Sequence, residues 1–146
     1  MMNEFSFDFN TIFRLLLAFV LGSVIGFERE KKGRDAGLRT HILVCVGSAL
    51  IMLVSIYVYE LYKGVAALDP ARIAAGVVTG IGFLGAGAII RSSEGNRGLT
   101  SAASVWVSAA IGLAVGCGYL SAAVATTIIV FFTLSLLKKA EARLDK

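Results

Sequence analysis

The charged and polar residues that could do chemistry stand in two groups. The larger is scattered along the chain as Glu28-Arg29, Arg39-Thr40-His41, Arg91, Asn96 and Thr100, always at the edge of a long uncharged stretch. Two readings of it stay open. In one it is an interhelical network, with Glu28 paired to an arginine and Thr40, Thr100 or Ser101 capping helix starts, because charges at membrane depth are costly unless paired. In the other, spare cations and helix N-termini receive an anion, such as a phosphate group, a lipid headgroup or a protein carboxylate. His41 is the one histidine and would add a proton-sensing group.

The smaller group is Asp69-Pro70-Ala71-Arg72. Asp69 suits a helix N-cap, and Pro70 suits the first helical position. Arg72 lies one turn on, within reach of Asp69. The alternative is a cation entry point. A single carboxylate makes a poor cage, yet magnesium binds through one or two carboxylates while keeping its waters, so Mg2+ at Asp69 is the only metal expected. No cofactor is expected. Gly80-Ile81-Gly82-Phe83-Leu84-Gly85 matches G-x-G-x-x-G, but it lacks the strand before it and the acid beyond it that a dinucleotide fold supplies. Cys45, Cys117, Phe83 and Trp106 read as packing groups. One histidine, no acid pair and no serine with a paired base leave no catalytic constellation, so an enzyme is not expected.

The elements that hold these residues follow from where charge is missing. The 146 residues are 57% apolar and 16% charged, with mean hydropathy +0.80. That composition excludes a disordered chain and a basic nucleic-acid binder. No Asp, Glu, Lys or Arg falls in 15–27, 42–59, 73–90 or 98–137. A membrane-crossing helix needs about 20 mostly apolar residues. The last gap is long enough for two, with a break at Gly116-Cys117-Gly118-Tyr119. The pattern predicts an all-α, polytopic membrane protein, a single domain over 1–146, with five transmembrane helices near 10–27, 41–62, 71–91, 99–117 and 119–137. Arg14 would snorkel from the first helix to the headgroups. That helix is preceded by Glu4 and Asp8, not by the basic segment of a signal peptide, so it reads as a retained span. Eleven of the fourteen Lys and Arg residues then lie on the side of the C-terminus, which puts that terminus in the cytoplasm and the N-terminus outside.

Helices already in lipid gain little from apolar burial against one another. They associate through close approach of small residues and through hydrogen bonds. Gly22 and Gly26 in the first helix, Gly76, Gly80, Gly82, Gly85 and Gly87 in the third, and Gly112 and Gly116 in the fourth are the packing positions expected. They place helices 3 and 4 at the centre and helix 5 toward lipid. Helix 3 is either continuous and thin or locally opened beside a polar pocket.

The ordered runs Gly22-Ser-Val-Ile-Gly26-Phe-Glu28-Arg29, Gly37-Leu-Arg-Thr-His41, Asp69-Pro-Ala-Arg-Ile-Ala-Ala75, Gly80-Ile-Gly-Phe-Leu-Gly-Ala-Gly87 and Gly98-Leu-Thr-Ser-Ala-Ala-Ser-Val-Trp106 resemble the MgtC/SapB family of bacterial inner-membrane proteins. The resemblance covers roughly residues 11–137. It implies a multi-pass inner-membrane protein of the short, SapB-like form, without the cytoplasmic C-terminal domain of longer members. It implies a regulatory role in adaptation to low magnesium, in a family associated with virulence, through contacts with another membrane complex such as the F-type ATP synthase. A homo-oligomer, in particular a dimer, fits the same surface. A carrier or channel for Mg2+ or another small solute, and a module binding a phosphate-bearing ligand or lipid, are the alternatives. By resemblance, Asp69, Arg72, Glu28 and Arg29 are the functional positions.

Overall fold

The computed structural model describes residues 9–144 apart from Ala66, Ser93 and Glu94; the side chains of 90–97 and 137–144 lie outside the described set. The described residues form five helices: α1 (Phe9–Lys31), α2 (Leu38–Tyr62), α3 (Pro70–Gly87), α4 (Leu99–Cys117) and α5 (Leu120–Leu144). A short antiparallel hairpin, β1 (Ile90–Ser92) and β2 (Gly95–Arg97), sits in the α3–α4 connection. The all-α polytopic fold is the one expected. Among the described residues, α1 to α4 are each long and apolar enough to cross a membrane, and α5 contributes a shorter apolar run, Leu120–Leu136.

The boundaries differ from the charge-gap reading where charged residues stay helical. α1 continues through Glu28, Arg29 and Glu30 to Lys31, and α2 starts at Leu38, three residues before His41. Residues with straight side chains have good helix propensity wherever water is within reach. α3 instead stops early, at Gly87, because the chain turns into the hairpin. It is continuous from Pro70, so the locally opened form does not occur.

Close approach is what joins α1, α2 and α4. A Cβ added at Gly22 would lie 2.9 Å from the Cys45 Cβ and the His41 carbonyl oxygen, and one at Gly26 would lie 2.8 Å from the Leu38 Cα. Further along the same face of α2, a Cβ at Gly116 would lie 2.6 Å from the Ala49 carbonyl oxygen, and one at Gly112 would collide with the Cys45 carbonyl. Two glycines four residues apart on each neighbour thus let α1 and α4 approach successive turns of α2, meeting at Cys45. Ala18, Leu21, Ile25, Cys45, Ala49, Ile111, Val115 and Ala123 fill the core that results.

α3 overturns the expected centre. Only 17% of its apolar window is buried, against 56% for α4. Its contact stripe is Val77, Ile81 and Gly85, spaced four apart, with Val77 and Ile81 packed with Val44, Val105 and Ala109. Gly76, Gly80, Gly82 and Gly87 have nothing within 4 Å of an added Cβ, so they are not packing positions inside this bundle. Gly85 is in ordinary contact distance of Ala102. The physical reason is angular: with 3.6 residues per turn, glycines at 76, 80, 82 and 87 cannot share the Val77–Ile81–Gly85 face. Phe83 and Trp106, read as packing groups, are likewise exposed, at 83% and 49%.

At the opposite end from residues 28–41, α4 stops at Gly118 in the left-handed conformation, φ 89°. Tyr119 N donates back to Ala114 O at 2.8 Å, closing the helix. Arg14 reaches this end of the bundle. Its Nη1 donates to Gly116 O at 2.7 Å while its Nε donates to Asn10 Oδ1 at 3.1 Å. A cation on orphan carbonyls at the negative end of a helix is stabilising. Arg14→Met is therefore expected to cost about 1.5 kcal/mol, the worth of a charge-assisted hydrogen bond. Thermal unfolding in detergent checks it, and Arg14→Lys should recover part of the loss.

Candidate functional site: a buried polar cluster at one end of the bundle

Consecutive residues on a helix fan out by about 100°, and Glu28, Arg29 and Glu30 use that fan to reach three neighbours. Glu28, 6% exposed, forms an ion pair with Lys32 one turn on. Lys32 Nζ also donates to Leu134 O at 2.8 Å, which ties the end of α1 to α5. Arg29, 4% exposed, turns toward α4 and donates from Nη2 to Ser101 Oγ at 2.8 Å. Glu30 Oε2 accepts from Leu38 N at 2.9 Å. It supplies the cap that Gly37 lacks, and the missing Cβ of Gly37 makes room for that carboxylate.

His41 is fully buried between the helices. Its Nδ1–H donates to Gly37 O at 2.7 Å, since a carbonyl only accepts, and its Nε2 lies 3.1 Å from Ser104 Oγ. Ser104 Oγ donates to Ser101 O at 2.8 Å, and Ser108 Oγ donates to Ser104 O at 3.0 Å. Hydroxyls satisfied by their own helix are the cheap way to line a membrane interface with polar groups. The turn after α1 folds back, with Arg34 N donating to Arg29 O at 3.1 Å. Four buried atoms have no hydrogen-bond partner among the described residues: Glu28 Oε1, which is in the ion pair with Lys32, Glu28 Oε2, Arg29 Nε and Arg34 Nε.

Of the residues expected here, the fold brings together Glu28, Arg29 and His41. Arg39, Thr40 and Thr100 are exposed and stand outside the buried cluster. Glu28 pairs with Lys32, and among the described residues it forms no ion pair with an arginine. Arg39 and Thr40 follow the free face of α2's first turn, so the depth they share with Glu28 does not become contact. Arg91 and Asn96 are opposite each other in the hairpin register, and their side chains lie outside the described set. Residues 30, 32, 104 and 108 were not singled out by sequence. Ser101, Ser104 and Ser108 at i, i+3 and i+7 are one helical face, which is the signal that points to them.

The second group stays apart from the first. Asp69 Oδ1 accepts from Ala71 N at 2.8 Å and caps α3; Arg72 N donates to Asp69 O at 3.1 Å. The carboxylate therefore serves the backbone and forms no ion pair with Arg72 among the described residues. Both residues line a pocket of about 200 Å³ with Ser55, Tyr59 and Ile73, between the end of α2 and the start of α3. No group of three or more His, Cys, Asp or Glu stands together among the described residues.

Apolar helices of crossing length, packed through glycines and closed at one end by a buried polar cluster, define a multi-pass α-helical membrane protein. The profile of the MgtC family matches residues 15–143, and the chain belongs to that family. It is a multi-pass protein of the bacterial inner membrane. It is 51% identical over 109 residues to YhiD of Escherichia coli K12, covering 73% of this chain and 51% of that protein. It is 43% identical over 145 residues to the protein MgtC of Salmonella typhimurium, covering 99% of this chain and 60% of that protein. An uncharacterized protein of Haemophilus influenzae is 43% identical over 127 residues, 84% of this chain and 53% of its own length. The chain thus spans about half to three fifths of the length of these relatives. No solved structure matches it.

Proposed function

We propose that this chain is a non-enzymatic, regulatory membrane module in magnesium homeostasis, acting by helix contacts with another membrane protein or a second copy of itself. The observation that carries this reading is the free face of α3. Gly76, Gly80, Gly82 and Gly87 leave backbone open to approach, with nothing within 4 Å of an added Cβ. In lipid, small residues that let backbones meet are what joins one helix to another. Glycine in an exposed helix costs stability relative to alanine, and helix docking is a use that offsets the cost. Five crossings, with the N-terminus outside and the C-terminus in the cytoplasm, belong to the same reading. Arg14 holds one end of α1 against Gly116 near the start of α5, and Lys32 holds the other end against Leu134. α5 therefore covers about the same depth as α1, which supports its crossing too.

The test is a large residue on the free face. Gly80→Leu should leave thermal unfolding of the purified protein near wild type and abolish crosslinking to neighbours in native membranes. Unchanged crosslinking would overturn the docking role of α3.

The second reading is transport. YhiD of Escherichia coli is named as a putative magnesium transporter, and in this chain the pocket beside Asp69 and Arg72 would be the entry. Purified protein in liposomes that moves Mg2+, with flux lost in Asp69→Ala, would replace the regulatory reading.

A further inference from the structure

We propose that Arg29, Arg34 and the first turn of α4 form a binding site for a phosphate-bearing anion. The inference goes beyond the regulatory reading and does not depend on it.

The charge balance is the first ground. Among the described residues, three cations, Arg29, Lys32 and Arg34, stand against two carboxylates, Asp35 and the buried Glu28, and Glu28 pairs with Lys32. Arg29 is 4% exposed, yet the hydrogen bond it makes is to a neutral hydroxyl, and its Nε has no partner among the described residues. Arg34 Nε is buried in the same condition. Glu28 and Asp35 both attract Arg29 while Arg34 opposes it, and Glu30 is committed to Leu38 N, so the locus keeps one cation in excess. Cations in excess of the carboxylates at a buried locus favour an added anion.

Geometry is the second ground. The Arg34 N to Arg29 O hydrogen bond folds the turn back over the end of α1, and Arg34 lies near enough to Arg29 for the two charges to repel. Arg29 reaches into the first turn of α4 at Ser101. α4 starts there from Gly98, left-handed at φ 90° and without a side-chain cap. A helix start concentrates partial positive charge and backbone donors, the setting in which phosphate groups bind. Two guanidinium forks add the planar donors that match phosphate oxygens, which a lysine does not supply. The phosphate would come from an anionic phospholipid headgroup or from a soluble phosphate.

The full chain in phosphatidylcholine nanodiscs provides the test, in two arms. One titrates inorganic phosphate against chloride at constant ionic strength by calorimetry. The other follows phosphatidylglycerol retention by native mass spectrometry. Saturable binding is expected in at least one arm. Binding of phosphatidylglycerol alone identifies a lipid site, and binding of phosphate alone identifies a soluble ligand. Arg34→Gln should weaken that binding at least tenfold. Arg29→Lys, which keeps the charge and removes the fork, should weaken it as well. Arg39→Gln, at an exposed cation of the same bundle end, should leave it unchanged. Absence of saturable binding in both arms would overturn the proposal. So would wild-type affinity in both Arg34→Gln and Arg29→Lys, or equal weakening by Arg39→Gln, which would mean diffuse surface charge.

Discussion

Gly112→Ala is expected to separate α2 from α4 and to cost about 3 kcal/mol, at the upper end of what overpacking does to a core. The added methyl would run into the Cys45 carbonyl and stand 2.8 Å from the Ser48 Cβ. Neither obstacle can step aside. The carbonyl belongs to an uninterrupted helix, and Cys45 and Ser48 are themselves buried. The only relief is for the helices to move apart, which also loosens the contact at Gly116, four residues on. Gly80→Ala is the matched control. It puts the same methyl on a helix with nothing within 4 Å. It should be neutral or stabilise by about 0.5 kcal/mol, since alanine loses less entropy than glycine in a helix. Thermal or denaturant unfolding in one detergent, run on both variants, reads the difference. Equal stability of the two would mean that α2 and α4 do not approach as described.

Glu28→Gln is expected to cost about 2 kcal/mol by another route, less than breaking a fully buried pair because the Lys32 side chain is 30% exposed. The substitution keeps shape and removes charge, so Lys32 is left without its counter-ion beside α5. Removing one partner of a buried pair costs more than the pair itself contributes, because an uncompensated charge remains. The double substitution Glu28→Gln with Lys32→Met removes both charges and should recover more than half of the loss. It will not recover all of it, since the Lys32 bond to Leu134 O also disappears. The same unfolding assay on the two singles and the double gives the coupling between the residues. Additive effects would show that Glu28 and Lys32 act independently.

Much of the bundle was legible in the residues themselves. Uncharged stretches of fixed length can only be helices in lipid, because no other open backbone arrangement satisfies its own hydrogen bonds there. The N-cap at Asp69 with Pro70 after it and the glycine stop after α4 are equally local, and both occur as read. The polar cluster was legible as a set of residues at helix ends, but its membership was not. Depth along the membrane follows from position in the chain, whereas contact also requires facing the right way around the helix. Glu28, Arg29 and His41 satisfy both conditions; Arg39, Thr40 and Thr100 satisfy only the first.

The glycines show the same division. Sequence marks where a helix is thin, and it does so equally at Gly80 and at Gly112. Only the folded arrangement decides that Gly112 and Gly116 are filled by α2 while Gly76, Gly80 and Gly82 stand open. The difference is physical. Helix formation in an apolar solvent is settled within each segment, by hydropathy and internal hydrogen bonds. Which faces meet is a property of all the segments at once, because lipid offers no apolar driving force to rank the faces and leaves the choice to shape and a few polar contacts.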